Sequence, residues 1–290
     1  MDKFTGLRRA MKLAQKLVVN YFRAKLNIIS VLSKRSAAKS AFKLFCTPLR
    51  KQRIKTPKIF SKGEQLQFSL HGYTIKGLRW NHPAEKKALI IHGFESSSKN
   101  FDRYIGALLK KGYEVLIFDA PAHGLSSGKR ITLPLYMESI QKIHELYGPV
   151  DAYIGHSFGG LVLSHFLETV PHNGSLKVVF IAPATEMVTS VDTFFRFLHL
   201  DDGVRREFDQ LILEKSGHYM SHFSMRRTMK NVEAGVLWFH DEDDLLTPIG
   251  DALKVRDDGH PNITFRITKG LGHRRIYRDN KIFKETIDFL

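Results

Sequence analysis

With 290 residues, 43% of them hydrophobic, the chain has material for one large core and an appendage, yet no apolar run approaches the ~18 residues that a membrane-spanning helix needs. Its single cysteine, Cys46, excludes an internal disulfide and a cysteine-built zinc cage, which fits a reducing, cytoplasmic compartment. The formal charge of +16 is confined to one end: residues 1–62 carry 17 Lys and Arg against the single acid Asp2, whereas residues 63–290 carry 28 of each sign, so the excess concerns partners rather than chemistry.

At the start of the chain, apolar residues fall three or four apart at Phe4, Leu7, Met11, Ala14, Val18, Phe22, Leu26 and Ile29. Arg8, Arg9, Lys12, Lys16 and Arg23 project elsewhere and Lys25 intrudes on the stripe, a pattern that predicts a basic amphipathic helix. It lacks the uninterrupted apolar core and small-residue cleavage site of a secretory signal. A second helical segment over 36–46 ends at Thr47-Pro48, and 50–62 is a basic connector. Two readings follow. The helices pack on the body through Phe22, Phe42 and Phe45 with their charges in water, or the apolar face and the cations of residues 1–62 hold the protein peripherally on an anionic membrane surface, the inner face for a cytoplasmic protein. Nucleic acid is not expected as a partner, because no recognised binding module accompanies the charge.

Residues 66–70 and 73–80 flank His71-Gly72 and predict a strand pair with a tight turn. A strand over 88–91 then runs into His92-Gly93-Phe94-Glu95-Ser96-Ser97-Ser98, followed by a helix around 104–110 and a strand over 114–118 that opens into the loop 119–128. A helix over 133–147 leads to a strand ending at Gly155, a further helix, and a strand over 177–181. Buried apolar strands alternating with helices predict a mostly parallel, doubly wound α/β sheet covered on both faces. Residues 185–233 break the alternation with helical aromatic segments around Phe194, Phe208 and Tyr219, and are expected to form a helical cap insertion. Strands over 235–239 and 263–267 and a helix from about 281 complete the body. The expected layout is a basic helical extension and linker over 1–62 and an α/β domain over 63–290.

The chemistry centres on Gly155-His156-Ser157-Phe158-Gly159, entered by a strand and left by a helix. Such a strand-turn-helix holds the serine hydroxyl out at the carboxyl edge of the sheet in a strained conformation, with glycines where strand and helix pass. A serine hydroxyl is a poor nucleophile until a base takes its proton, usually an imidazole oriented by a carboxylate. Both types of residue follow later strands: acids at Asp241, Glu242, Asp243 and Asp244, and His273 after the last strand. His92, Asp119 and Ser157 all fall at carboxyl ends of predicted strands, where sheets of this kind place their sites.

From about residue 65 onward the chain resembles the α/β-hydrolases, in pattern nearest to the lysophospholipase, monoacylglycerol lipase and serine aminopeptidase-like (S33-type) group. The motifs that carry the resemblance are His92-Gly93-Phe94, the Asp119-x-Pro-x-His-Gly-x-Ser loop, Gly155-His156-Ser157-Phe158-Gly159-Gly160, the segment from His240 to Pro248, and Gly272-His273. The resemblance implies Ser157 as nucleophile, His273 as general base and Asp244 as orienting acid, with Asp243 next in line. It also implies an oxyanion hole made by the backbone N–H groups of Phe94 and Phe158. Asp241 stands where the group commonly has glycine, and Ala122 replaces a glycine of the Pro-Gly-His-Gly loop.

These features predict a serine hydrolase acting on a small-molecule carboxylic ester with an apolar acyl group, of lysophospholipid or monoacylglycerol type, through an acyl-enzyme. Amide or peptide hydrolysis on the same triad, and a non-catalytic membrane-surface or partner-binding protein on a hydrolase scaffold, are the alternatives. No cofactor and no metal are expected: His218-x-x-x-His222 has helical ligand spacing but no evident third ligand. His92 and His123 are expected to organise loops, and Ser126 and Ser127 to serve a turn.

Overall fold

The computed structural model describes residues 13–49 and 55–290, with side chains from residue 16. The expected helical positions Phe4, Leu7 and Met11 lie outside the described residues. Helices of eight or more residues among those described are α1 (Leu13–Leu32), α2 (Lys34–Phe45), α3 (Asp102–Lys110), α4 (Leu133–Tyr147), α5 (Phe158–Leu167), α6 (Met187–Leu198), α7 (Asp202–Ser216), α8 (Ile249–Asp257) and α9 (Asn280–Phe289). They divide between two units: Pro48–Thr185 with Met225–Leu290, and the N-terminal helices with Glu186–Ser224.

The larger unit is built on one sheet of eight strands among the described residues: β1 (Glu64–Leu70), β2 (Tyr73–Trp80), β3 (Lys87–Ile91), β4 (Glu114–Phe118), β5 (Ala152–His156), β6 (Lys177–Ile181), β7 (Gly235–Asp241) and β8 (Ile263–Thr268). Their order across the sheet is β1-β2-β4-β3-β5-β6-β7-β8. β1 and β2 form the expected hairpin, turning at His71 (φ 47°) and Gly72 (φ 77°), and β2 pairs antiparallel with β4. All remaining neighbours run parallel. Every residue of β4 and β5 is buried, as strands covered by helices on both faces require. From β3 the chain steps to β4 on one side and then returns to β5 on the other. The winding therefore reverses beside β3, and the crevice beyond the carboxyl ends of β3 and β5 is where such folds hold ligands.

α4 matches its expected span and is started by Thr132, whose hydroxyl accepts from Leu135 N, with Pro134 in the first turn. α8, between β7 and β8, was not expected. It buries only Ala252 and Val255 among apolar residues, so its sequence has no marked stripe.

In the smaller unit the N-terminal helices pack on the insertion. Phe42 meets Phe208 (6.0 Å between ring centres), and Phe45 meets Phe194 (5.2 Å) and Phe208 (6.1 Å). Ala37, Ala38 and Ala41 are fully buried, which lets α2 approach closely. Lys34 pairs with Asp201 (2.8 Å), Arg35 with Glu207 and Glu214, and Arg23 donates to Phe197 O (2.8 Å). Phe42 and Phe45 thus pack as the first reading of the N-terminus has it, but on α6 and α7. The same contacts cover Phe194 and Phe208, two of the aromatics that suggested a cap.

Candidate active site

Ser157 sits between β5 and α5 with φ 54° and ψ −127°, a left-handed conformation that costs a non-glycine residue about 1–2 kcal/mol and is kept by its surroundings. Two glycines allow the turn. A Cβ on Gly159 would lie 2.5 Å from His92 O, and one on Gly93 would lie 2.6 Å from the Cβ of Ser157, so the end of β3 and the elbow are in backbone contact. That contact brings the Gly93-Phe94 peptide beside the serine. The Phe94 and Phe158 rings stand edge to face at 6.4 Å, with Tyr136 6.1 Å from Phe158 and His123 5.6 Å from Phe94, an aromatic cluster that joins the 93–94 loop to the start of α5.

Three side chains form one hydrogen-bonded line. His273 Nε2 lies 2.9 Å from Ser157 Oγ, and His273 Nδ1 lies 2.8 Å from Asp244 Oδ2. Asp244, only 1% exposed, also accepts from Leu246 N (2.8 Å), Thr247 N (2.9 Å) and Thr247 Oγ1 (2.7 Å). Burial pushes its carboxyl up, but the His273 ring and the Thr247 donors outweigh that and hold it below the usual carboxylate range. Asp243 is exposed and turns away to accept from Gly270 N (3.0 Å). The arrangement suits proton transfer from the hydroxyl to a ring whose tautomer is fixed by a buried anion.

Asp241 supports this line, and nothing in the spacing of the four acids points to its part. Its carboxylate is fully buried and accepts four hydrogen bonds: from Thr268 Oγ1 (2.7 Å), Leu271 N (3.1 Å), Gly272 N (2.8 Å) and Asp243 N (3.0 Å). The loop that carries His273 is thereby tied to the loop that carries Asp244. Burial raises its pKa, but the four donors more than offset it, and the carboxyl is held below its ordinary range. Gly270 (φ 85°) and Gly272 (φ 59°) supply the left-handed turns that aim these amides at one carboxylate.

Buried histidines complete the frame. His92 donates from Nδ1 to Gly93 O (2.9 Å) and accepts from Ala120 N (3.0 Å); His123 donates to Pro121 O (2.9 Å) and accepts from Glu95 N (3.0 Å). Both are the loop organisers expected, and burial drops the His123 ring to about 4. His156, against the His273 ring at 5.0 Å and the Tyr277 ring at 4.7 Å, is held near 3 by burial and then by the neighbouring imidazole, which keeps a second positive charge away from His273. Ser126 and Ser127 do more than fill a turn: their hydroxyls accept from Lys76 N and Thr74 N, which fastens the 119–128 loop to β2. Ala122 takes φ 66° in place of the glycine expected there. His218 and His222 stack at 3.8 Å, and among the described residues no group of three or more His, Cys, Asp or Glu is placed to hold a metal.

The sequence model of the family described as serine aminopeptidase, S33, matches residues 82–227, half of the chain. The chain belongs to the S33 serine aminopeptidase family of hydrolases. The S33 match takes in the 93–94 loop and the Ser157 elbow and stops before Asp244 and His273. A human serine hydrolase-like protein is 30% identical over 105 residues, 32% of this chain and 51% of its own, so the S33 chain spans about half the length of that curated relative. Among solved structures, an esterase of Pyrococcus furiosus superposes with a TM-score of 0.63 at 21% identity, covering 84% of this chain and 97% of the esterase. Mouse alpha/beta hydrolase domain-containing protein 10 does so at 0.59 and 16%, covering 78% and 96%. At these identities the likeness establishes the α/β-hydrolase fold.

Proposed function

We propose that the protein is a serine esterase that cleaves a small-molecule carboxylic ester with an apolar acyl group, of lysophospholipid or monoacylglycerol type, through an acyl-enzyme. The observation that carries this reading is the continuous line Asp244–His273–Ser157, with 2.8 Å and 2.9 Å links. As Ser157 Oγ attacks the ester carbonyl, His273 Nε2 takes the hydroxyl proton and Asp244 steadies the imidazolium. The carbonyl oxygen becomes an oxyanion that accepts from the backbone N–H groups of Phe94 and Phe158. Collapse breaks the bond to the alcohol, which leaves with the proton from His273. Water then gives its proton to His273 and attacks the acyl carbon, and release of the acid restores Ser157.

The rings of Phe94, Phe158 and Tyr136 support an apolar acyl group, because flat hydrophobic walls favour hydrocarbon and give a polar acyl chain no partner. On a panel of p-nitrophenyl esters, kcat/KM should rise from acetate to a medium-chain acyl group, with Ser157→Ala as control. A flat profile would remove the acyl-group assignment, and greater activity on p-nitroanilides would replace the ester by an amide. Part of the same reading is that residues 1–62, with their 17 cations and one acid, meet an anionic membrane surface.

A further inference from the structure

α1 is apolar on two sides. The stripe legible in the sequence faces inward over its second half, where Leu26 is 2% exposed and Phe22 and Ile29 are half-buried, while Val18 nearer the start is 47% exposed. On the opposite side a second row emerges, made of Leu17 (63% exposed), Tyr21 (59%), Ile28 (67%), Val31 (83%) and Leu32 (85%). These positions recur at helical spacing and cover nearly the whole described length of the helix. Lys16 and Lys25 are exposed beside them, and no Asp or Glu occurs between Lys3 and Lys62.

From this row we infer that the outer face of α1 docks flat on an anionic lipid bilayer, with Leu17, Tyr21, Ile28, Val31 and Leu32 in the headgroup-acyl boundary and the lysines among the headgroups. A contiguous apolar face left in water marks a contact surface. The charge of the helix selects the partner: α1 carries Lys16, Arg23 and Lys25 and no acid, so a second copy on the same face would set cations against cations, whereas an anionic bilayer supplies both hydrocarbon and counter-charge. Crossing the bilayer is not the mode, since no helix among the described residues is long and apolar enough. The inference rests on the reading that residues 1–62 meet an anionic membrane and narrows it to one face; it is independent of the ester chemistry.

Flotation of the full chain with vesicles tests it, using phosphatidylcholine alone and an equal mixture of phosphatidylcholine and phosphatidylglycerol. The wild-type protein should float with the anionic vesicles at low salt, stay unbound with the neutral ones, and be released by high salt as screening removes the attraction. The double variant Ile28→Glu, Leu32→Glu changes only solvent-exposed positions and should lose at least about tenfold in partitioning while keeping its thermal unfolding midpoint. Absence of wild-type binding would remove the membrane reading itself. Wild-type binding that the double variant retains would remove the face and leave a purely electrostatic attachment. A lipid-free dimer in sedimentation that the double variant dissociates would assign the row to a second copy.

Discussion

The strand-end loops of the sheet unit and the outer face of α1 depart from the ordinary distribution of residues in opposite directions. Around Ser157 polar groups are buried: Asp241 at 0%, Asp244 at 1% and Ser157 at 9% exposure, with the two carboxylates saturated by donors. Along α1 the reverse holds, with Val31 and Leu32 more than four-fifths exposed. A buried acid costs several kcal/mol unless hydrogen-bonded, and an exposed apolar row forgoes ~25 cal/mol for each Å² left in water, so each departure persists for a reason other than simple stability. In the proposed function, the first region holds geometry for chemistry and the second holds surface for a membrane partner.

The sharpest way to break the first half of that contrast is to remove the reacting atom: Ser157→Ala should lower kcat/KM by about 10⁴-fold or more, with the unfolding midpoint unchanged. Loosening the brace should cost less. Asp241→Asn turns an acceptor into a donor facing backbone N–H groups and should lower kcat by about 10–100-fold with little change in KM, as expected when a base is misplaced by a fraction of an ångström. Thr268→Val, which deletes one of its four donors, should show a weaker form of the same effect, and Thr268→Ser should restore kcat. A lower unfolding midpoint with unchanged kcat would reduce Asp241 to a structural role.

The extent to which each region could be read in advance follows from how local its determinants are. The strands and the elbow are encoded by short apolar runs and by glycines that must adjoin them, so β4, β6 and α4 fall on their expected spans. Asp244 is named through the resemblance, which carries a motif over the segment from His240 to Pro248, but no motif carries the part played by Asp241: three of its four donors come from residues 268, 271 and 272 on a different strand end, and only sheet pairing of β7 with β8 brings them together. α1 illustrates the same limit. Its stripe follows the 3.6-residue period and reads as the one apolar face of an amphipathic helix, so the outer row, which recurs at the same spacing, is told apart only by its exposure.

Smaller effects sharpen the picture of a buried polar frame. His123 and His156 protonate near 6.5 in an unfolded chain but near 4 and 3 in the fold, so the unfolded state binds more protons between those values. Stability should be full above about pH 6.5 and fall as pH drops toward the folded values, by up to about 1.4 kcal/mol per pH unit for each ring. Chemical denaturation at a series of pH values would measure that slope, and His123→Gln should make it shallower. Ala122→Gly relieves a left-handed residue and should raise stability by up to about 1 kcal/mol in the same assay, with no change in kcat.

Covalent trapping decides whether Ser157 is the nucleophile. A fluorophosphonate incubated with the full chain should add one phosphonyl group, located by peptide mass on Ser157, and Ser157→Ala should stay unlabelled. Labelling that survives Ser157→Ala, or a wild-type protein that folds but takes up no label, would contradict that role.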